Sequence, residues 1–151
     1  MNDVLRRIRE HVASGLGENI DWEKVSKYVM LPEEFIREFQ DKLNWNSVST
    51  YQTLSEDFIR EFQDKVDWTY ISIYQILSES FIREFYVELR LSRISTYQTL
   101  SEDFVREFQD TLDWCNISKY QKLSEEFIRE FQDKLNWRRV SRYQILSEDL
   151  I

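Results

Sequence analysis

Six leucines, Leu31, Leu54, Leu77, Leu100, Leu123 and Leu146, recur at a fixed step of 23 residues, and no other feature constrains the fold of this chain as strongly. Phe35, Phe58, Phe81, Phe104 and Phe127 keep the step, as do Phe39, Phe62, Phe85, Phe108 and Phe131. So do Tyr28, Tyr51, Tyr74, Tyr97, Tyr120 and Tyr143. Trp22, Trp45, Trp68, Trp114 and Trp137 share one position, which Leu91 takes in the fourth copy. A constant period of this length marks a repeat architecture, in which each unit buries its apolar face only by stacking on its neighbours. Five full units follow: 31–53, 54–76, 77–99, 100–122 and 123–145.

Each unit reads as two helices. In 54–76, Ser55 is placed to cap the first, with Glu56 and Asp57 at its positive end. Phe58, Ile59, Phe62 and Val66 then fall on one face. Asp67 caps a shorter second helix, as do Asp21, Asn44, Asp113 and Asn136 elsewhere, and on it Trp68, Ile71, Tyr74 and Gln75 are expected to share the buried face. Pro32 stands in for the capping serine of the first full unit. The expectation is an all-α fold, an α-solenoid of about six two-helix units, roughly 60 Å long at helix-packing distances. The whole chain, 1–151, reads as a single helical-repeat domain.

The ends depart from the period. Residues 1–30 read as a degenerate N-terminal unit, in which Val12, Leu16 and Ile20 occupy the apolar positions and Gly15 and Gly17 fall inside the expected helix and weaken it. Residues 146–151 form a truncated unit without a polar cap. The aromatic face around Tyr143, Leu146 and Leu150 is therefore expected to lack its stacking neighbour and to pair with a second copy, giving a homodimer.

The motif LSEDFIREFQDK(V/L)(D/N)Wxx(I/V)SxYQ resembles tandem repeats in uncharacterised open reading frames of large DNA viruses and of some bacteria and phages. The resemblance covers nearly the whole chain from Leu31 and is weakest in the fourth unit, where Tyr86, Val87, Glu88, Arg90 and Leu91 replace the usual residues. It implies an intracellular helical-repeat protein in a viral setting and brings no catalytic residues with it.

Composition narrows the chemistry. Two glycines and one proline leave no material for turn-rich β folds or a glycine-rich phosphate loop. One histidine and one cysteine supply neither a Cys/His metal site nor a disulfide framework, and no cofactor is expected. The paired carboxylates recur at the first turn of each unit, which suits the helix dipole rather than acid–base catalysis. His11 has no partner nearby in sequence, and Cys115 has no base within reach, so an enzyme is not expected. The net charge of −8 weighs against direct nucleic-acid or membrane binding. No run approaches transmembrane length, and a cytoplasmic location is expected.

Function is expected where the repeat varies. Three positions of each second helix change while their surroundings stay constant: Glu23/Lys24/Lys27, Asn46/Ser47/Thr50, Thr69/Tyr70/Ile73, Ser92/Arg93/Thr96, Cys115/Asn116/Lys119 and Arg138/Arg139/Arg142. They should line one surface of the solenoid, running through an exposed Tyr70/Ile73 patch to a basic end. The expected activity is that of a non-enzymatic scaffold binding a protein partner through Tyr70, Ile73, Arg93, Asn116, Lys119, Arg138, Arg139 and Arg142. The alternative is an acidic nucleic-acid mimic, its repeated Asp57, Asp64 and Asp67 imitating a phosphate track on a nucleic-acid-processing or host-defence enzyme.

Overall fold

The computed structural model describes residues 3–148. Among them it is all-helical, with no strand. The helices are α1 (Asp3–Ala13), α2 (Trp22–Tyr28), α3 (Glu33–Glu38), α4 (Trp45–Tyr51), α5 (Glu56–Glu61), α6 (Trp68–Tyr74), α7 (Glu79–Glu84), α8 (Leu91–Tyr97), α9 (Glu102–Glu107), α10 (Trp114–Tyr120), α11 (Glu125–Glu130) and α12 (Trp137–Tyr143). The chain divides into two compact units, Met1–Val66 and Asp67–Ile151. Each is a stretch of α-solenoid. In the first, α2 packs on α4; in the second, α6, α8, α10 and α12 pack in succession.

The repeat builds each hairpin the same way. Serine caps the first helix through Oγ, as Ser55 does for the amide of Phe58 and Ser101 for that of Phe104. The helix is shorter than the apolar spacing suggests. Phe62 leaves helical geometry at φ −110°, ψ 28°, and the amides of Lys65 and Val66 then close a final turn on its carbonyl. Helix plus turn still bury Phe58, Ile59, Phe62 and Val66 together. Asp or Asn caps the second helix, as at Asp67 and Asn136; Arg90 gives α8 no such cap.

Buried polar side chains tie unit to unit. Gln98 Nε2 donates to the carbonyls of Ser72 (3.1 Å) and Gln75 (2.8 Å), while its Oε1 accepts from the amide of Leu77. Gln121 and Gln144 repeat the pattern one and two units on, and Gln52 makes it in the first compact unit. The fully buried Ser72, Ser95 and Ser118 each donate to the carbonyl four residues back and accept an amide from the next unit. On the outer side Glu102 accepts the amide of Ser124, and Glu125 that of Ser147. Hydrogen bonds from Ser147 hold the Glu125 carboxyl below its ordinary pKa.

Three expectations need correction. The tyrosines are not core: Tyr28 is 72% exposed, and the other five stand at 46–54%. At 100° per residue Tyr74 lies a full step round from Gln75, on the flank of the buried stripe. In the N-terminal unit, α1 buries Leu5 and Ile8, whereas Leu16 is exposed and Val12 and Ile20 are half-buried. Gly15 does not weaken that helix from within. With φ at +80° it ends it, the amides of Gly15 and Leu16 bonding back to the carbonyls of Val12 and His11.

In the unit 77–99 the substitutions compensate one another. Elsewhere a tryptophan packs on the second phenylalanine of the next unit, as Trp68 does on Phe85 (5.0 Å) and Trp114 on Phe131 (5.1 Å). Where Leu91 replaces tryptophan, Phe108 stays half-buried, and Tyr86 comes to 6.1 Å from its ring.

Candidate binding surface

The recurring charges of the first helices are engaged within the fold. Arg37 pairs with Glu61 and lies over Phe58; Arg83 pairs with Glu107 over Phe104; Arg106 pairs with Glu130 over Phe127. Arg60 binds Asp57, and Arg129 binds Glu125. The bonds to Glu61 and Glu130 raise the pKa of Arg37 and Arg106 respectively. Lys65 bridges Gln40 and Asp41 over Trp45, and Lys134 does the same with Gln109 and Asp110 over Trp114. Asp67 spends its Oδ1 on the amides of Thr69 and Tyr70. Among the acids of the supposed phosphate track, Asp57 is thus neutralised by Arg60 and Asp67 is committed to a cap, while Asp41 and Asp110, the equivalents of Asp64, hold lysines.

The second-helix row is different. In the first compact unit Glu23, Lys24 and Asn46 are exposed, with Lys27, Ser47 and Thr50 half-buried. In the second, Ser92, Arg93, Cys115, Arg138 and Arg142 are exposed. Tyr70 and Ile73 are half-buried, not the exposed patch that was expected, and the Tyr70 ring lies 6.3 Å from that of Tyr74. Asn116 donates to the carbonyl of Ser92, so its side chain joins α10 to α8.

Four of the expected binding residues converge. Lys119 on α10 and Arg138, Arg139 and Arg142 on α12 line one cleft of about 300 Å³, with Asn136 and Tyr143. Lys119 Nζ lies 5.2 Å from the Tyr143 ring centroid and the Arg142 guanidinium 5.5 Å, and Lys119 also donates to Tyr120 Oη. Among the described residues no carboxylate pairs with any of the four cations. Tyr70, Ile73, Arg93 and Asn116 are not part of this cleft.

Tyr143 lines the basic cleft, and at 46% it is as exposed as Tyr120 at 47%. Leu146 is half-buried, whereas the five leucines before it in the period are buried, and Leu150 lies outside the described residues. The side chain that opens most in the last unit is Trp137, 43% exposed where the other tryptophans are half-buried.

A larger concavity of about 810 Å³ lies in the first compact unit, bounded by Leu31, Phe35, Met30 and Tyr28 with Arg9 and Lys27. Arg9 is bound to Glu38 at 2.7 Å and sits over Phe35, while Lys27 lies over Tyr28 and Tyr51. The sequence carried no signal for this hollow, because it arises where α1 replaces a regular repeat. Asn136 was missed as a cleft residue for another reason: its position reads as a cap, and its Oδ1 does accept the amide of Arg139.

His11 is exposed, with Nδ1 3.1 Å from the carbonyl of Arg7, and Cys115 is an exposed free thiol. Among the described residues no group of three His, Cys, Asp or Glu side chains is placed to hold a metal ion, and no helix is long and apolar enough to cross a membrane. No family model, curated protein or solved structure matches the chain.

Proposed function

We propose that the chain is a protein-binding scaffold that takes its partner on the second-helix face of the 67–151 unit. The observation that carries this reading is a contrast between arginines. Arg37, Arg60, Arg83, Arg106 and Arg129 of the first helices all pair with carboxylates, whereas Arg93, Arg138, Arg139 and Arg142 of the second helices pair with none among the described residues. Arginine presents a rigid fork of donors and stacks on aromatic rings, so a free cluster beside tyrosines is a natural anchor for a partner. The invariant residues hold the solenoid, and the positions that vary are left to choose what it binds.

The test is selection of binding peptides from a random displayed library on the folded chain, followed by titration against a Tyr70→Ala/Arg139→Ala/Arg142→Ala variant. Selected peptides should bind that variant at least roughly tenfold more weakly, the loss of one or two interface anchors. Undiminished binding by a variant with an unchanged circular dichroism spectrum would refute the assignment of the face.

A further inference from the structure

The repeat supplies its own control for the basic cleft. At the same three positions the third, fourth and fifth full units carry Ser92/Arg93/Thr96, Cys115/Asn116/Lys119 and Arg138/Arg139/Arg142, and 54–76 carries Thr69/Tyr70/Ile73. Second helices of the same seven-residue length thus form with no cation in the row, with one, and with three. The fold does not call for the arginines of α12. Their charges, with that of Lys119 from the neighbouring helix, meet in one cleft of about 300 Å³ without a described carboxylate to offset them. Solvent and the Tyr143 ring relieve part of the mutual repulsion, and an anion from outside would relieve the rest.

The occupant can be defined by charge and size. A single carboxylate carries one negative charge and two acceptor oxygens, too little for three guanidinium forks and an ammonium. A phosphate monoester carries about −1.5 to −2 at neutral pH and three acceptor oxygens, and arginine forks match it bidentately. At about 300 Å³ the cleft has room for one such group, and the exposed Tyr143 ring is part of its lining. The net charge of −8 over the chain opposes a long polyanion, which would meet the acids outside the cleft. We infer that the cleft formed by Lys119, Arg138, Arg139, Arg142 and Tyr143 binds a phosphorylated side chain of a protein partner. This inference rests on the partner-binding reading of the second-helix face and names the chemistry recognised at its basic end.

The experiment is a calorimetric and NMR titration of the full chain at constant ionic strength. The probes are phenyl phosphate, glutarate, a short neutral peptide with one phosphotyrosine, its unphosphorylated form, and a single-stranded oligonucleotide. Phenyl phosphate and the phosphopeptide should bind at least about tenfold more tightly than glutarate and the unphosphorylated peptide. Their affinity should rise from pH 5 to 7.5 as the phosphate takes its second charge near pH 6, with arginine protonated throughout. Arg139→Gln/Arg142→Gln should weaken both by roughly tenfold or more, whereas Lys42→Gln, an exposed cation of the first compact unit, should leave them unchanged. Equal binding of glutarate and phenyl phosphate overturns the inference, as does binding unaltered in the double variant or a tighter hold on the oligonucleotide. Selected unphosphorylated peptides that bind while phenyl phosphate does not would defeat this inference alone; failure of both would defeat the scaffold reading with it.

Discussion

Gln98 makes three hydrogen bonds from a buried position, two of them across the unit boundary, while its neighbour Tyr97 projects from the end of α8 with half its surface in water. Both recur in every full unit, so recurrence alone does not separate the residue that holds the stack from the one that decorates it. Burial does. Gln98→Ala would strand the amide of Leu77 and the carbonyls of Ser72 and Gln75 in a site that water does not reach. It should cost about 2–4 kcal/mol in chemical denaturation, whereas Tyr97→Gln should cost less than about 1 kcal/mol. A comparable loss for both would mean that the tyrosine column carries stability that its exposure does not suggest.

At the level of elements, the short second helices depend on their caps. Asp113 opens α10 with φ −81°, ψ 102°, and its carboxylate accepts the amide of Asn116; Arg90 opens α8 at φ −81°, ψ 94° with no acceptor to offer. The backbone is already in the capping geometry, so Arg90→Asp needs no rearrangement. The substitution should raise stability by about 1 kcal/mol, seen as a higher denaturation midpoint at an unchanged slope. The same unit shows how a repeat tolerates a lost tryptophan. Leu91 leaves one face of Phe108 open, and Tyr86, where other units have glutamine, lies against it.

For the molecule as a whole, stability is the sum of unit and interface contributions, so each compact unit should loosen from where its interfaces are least buried. Within the 67–151 unit, Gln98 and Gln121 are buried and Gln144 is half-buried, although all three make the same set of bonds. Amide hydrogen exchange should therefore find Leu123, bonded to Gln144, exchanging faster than Leu100, bonded to Gln121. Equal protection would argue that the unit opens in one step.

What the sequence determined on its own was the repeat: its period, the two-helix unit, the caps at Ser55 and Asp67 and the buried phenylalanines. These are legible because each depends on spacing along one helix or on a step of 23 residues, and a fivefold recurrence averages out local accident. The exposure of the tyrosines was legible in principle from the angle between Tyr74 and Gln75, but a tyrosine at the edge of a buried stripe has the same recurrence as a core aromatic. Only the tertiary structure decided the rest. It ended α1 at Gly15 and opened the hollow beside it, and it divided the chain at Val66. It drew Lys119 from one helix and three arginines from the next into a single cleft, because distance between helices is set by packing and not by sequence separation.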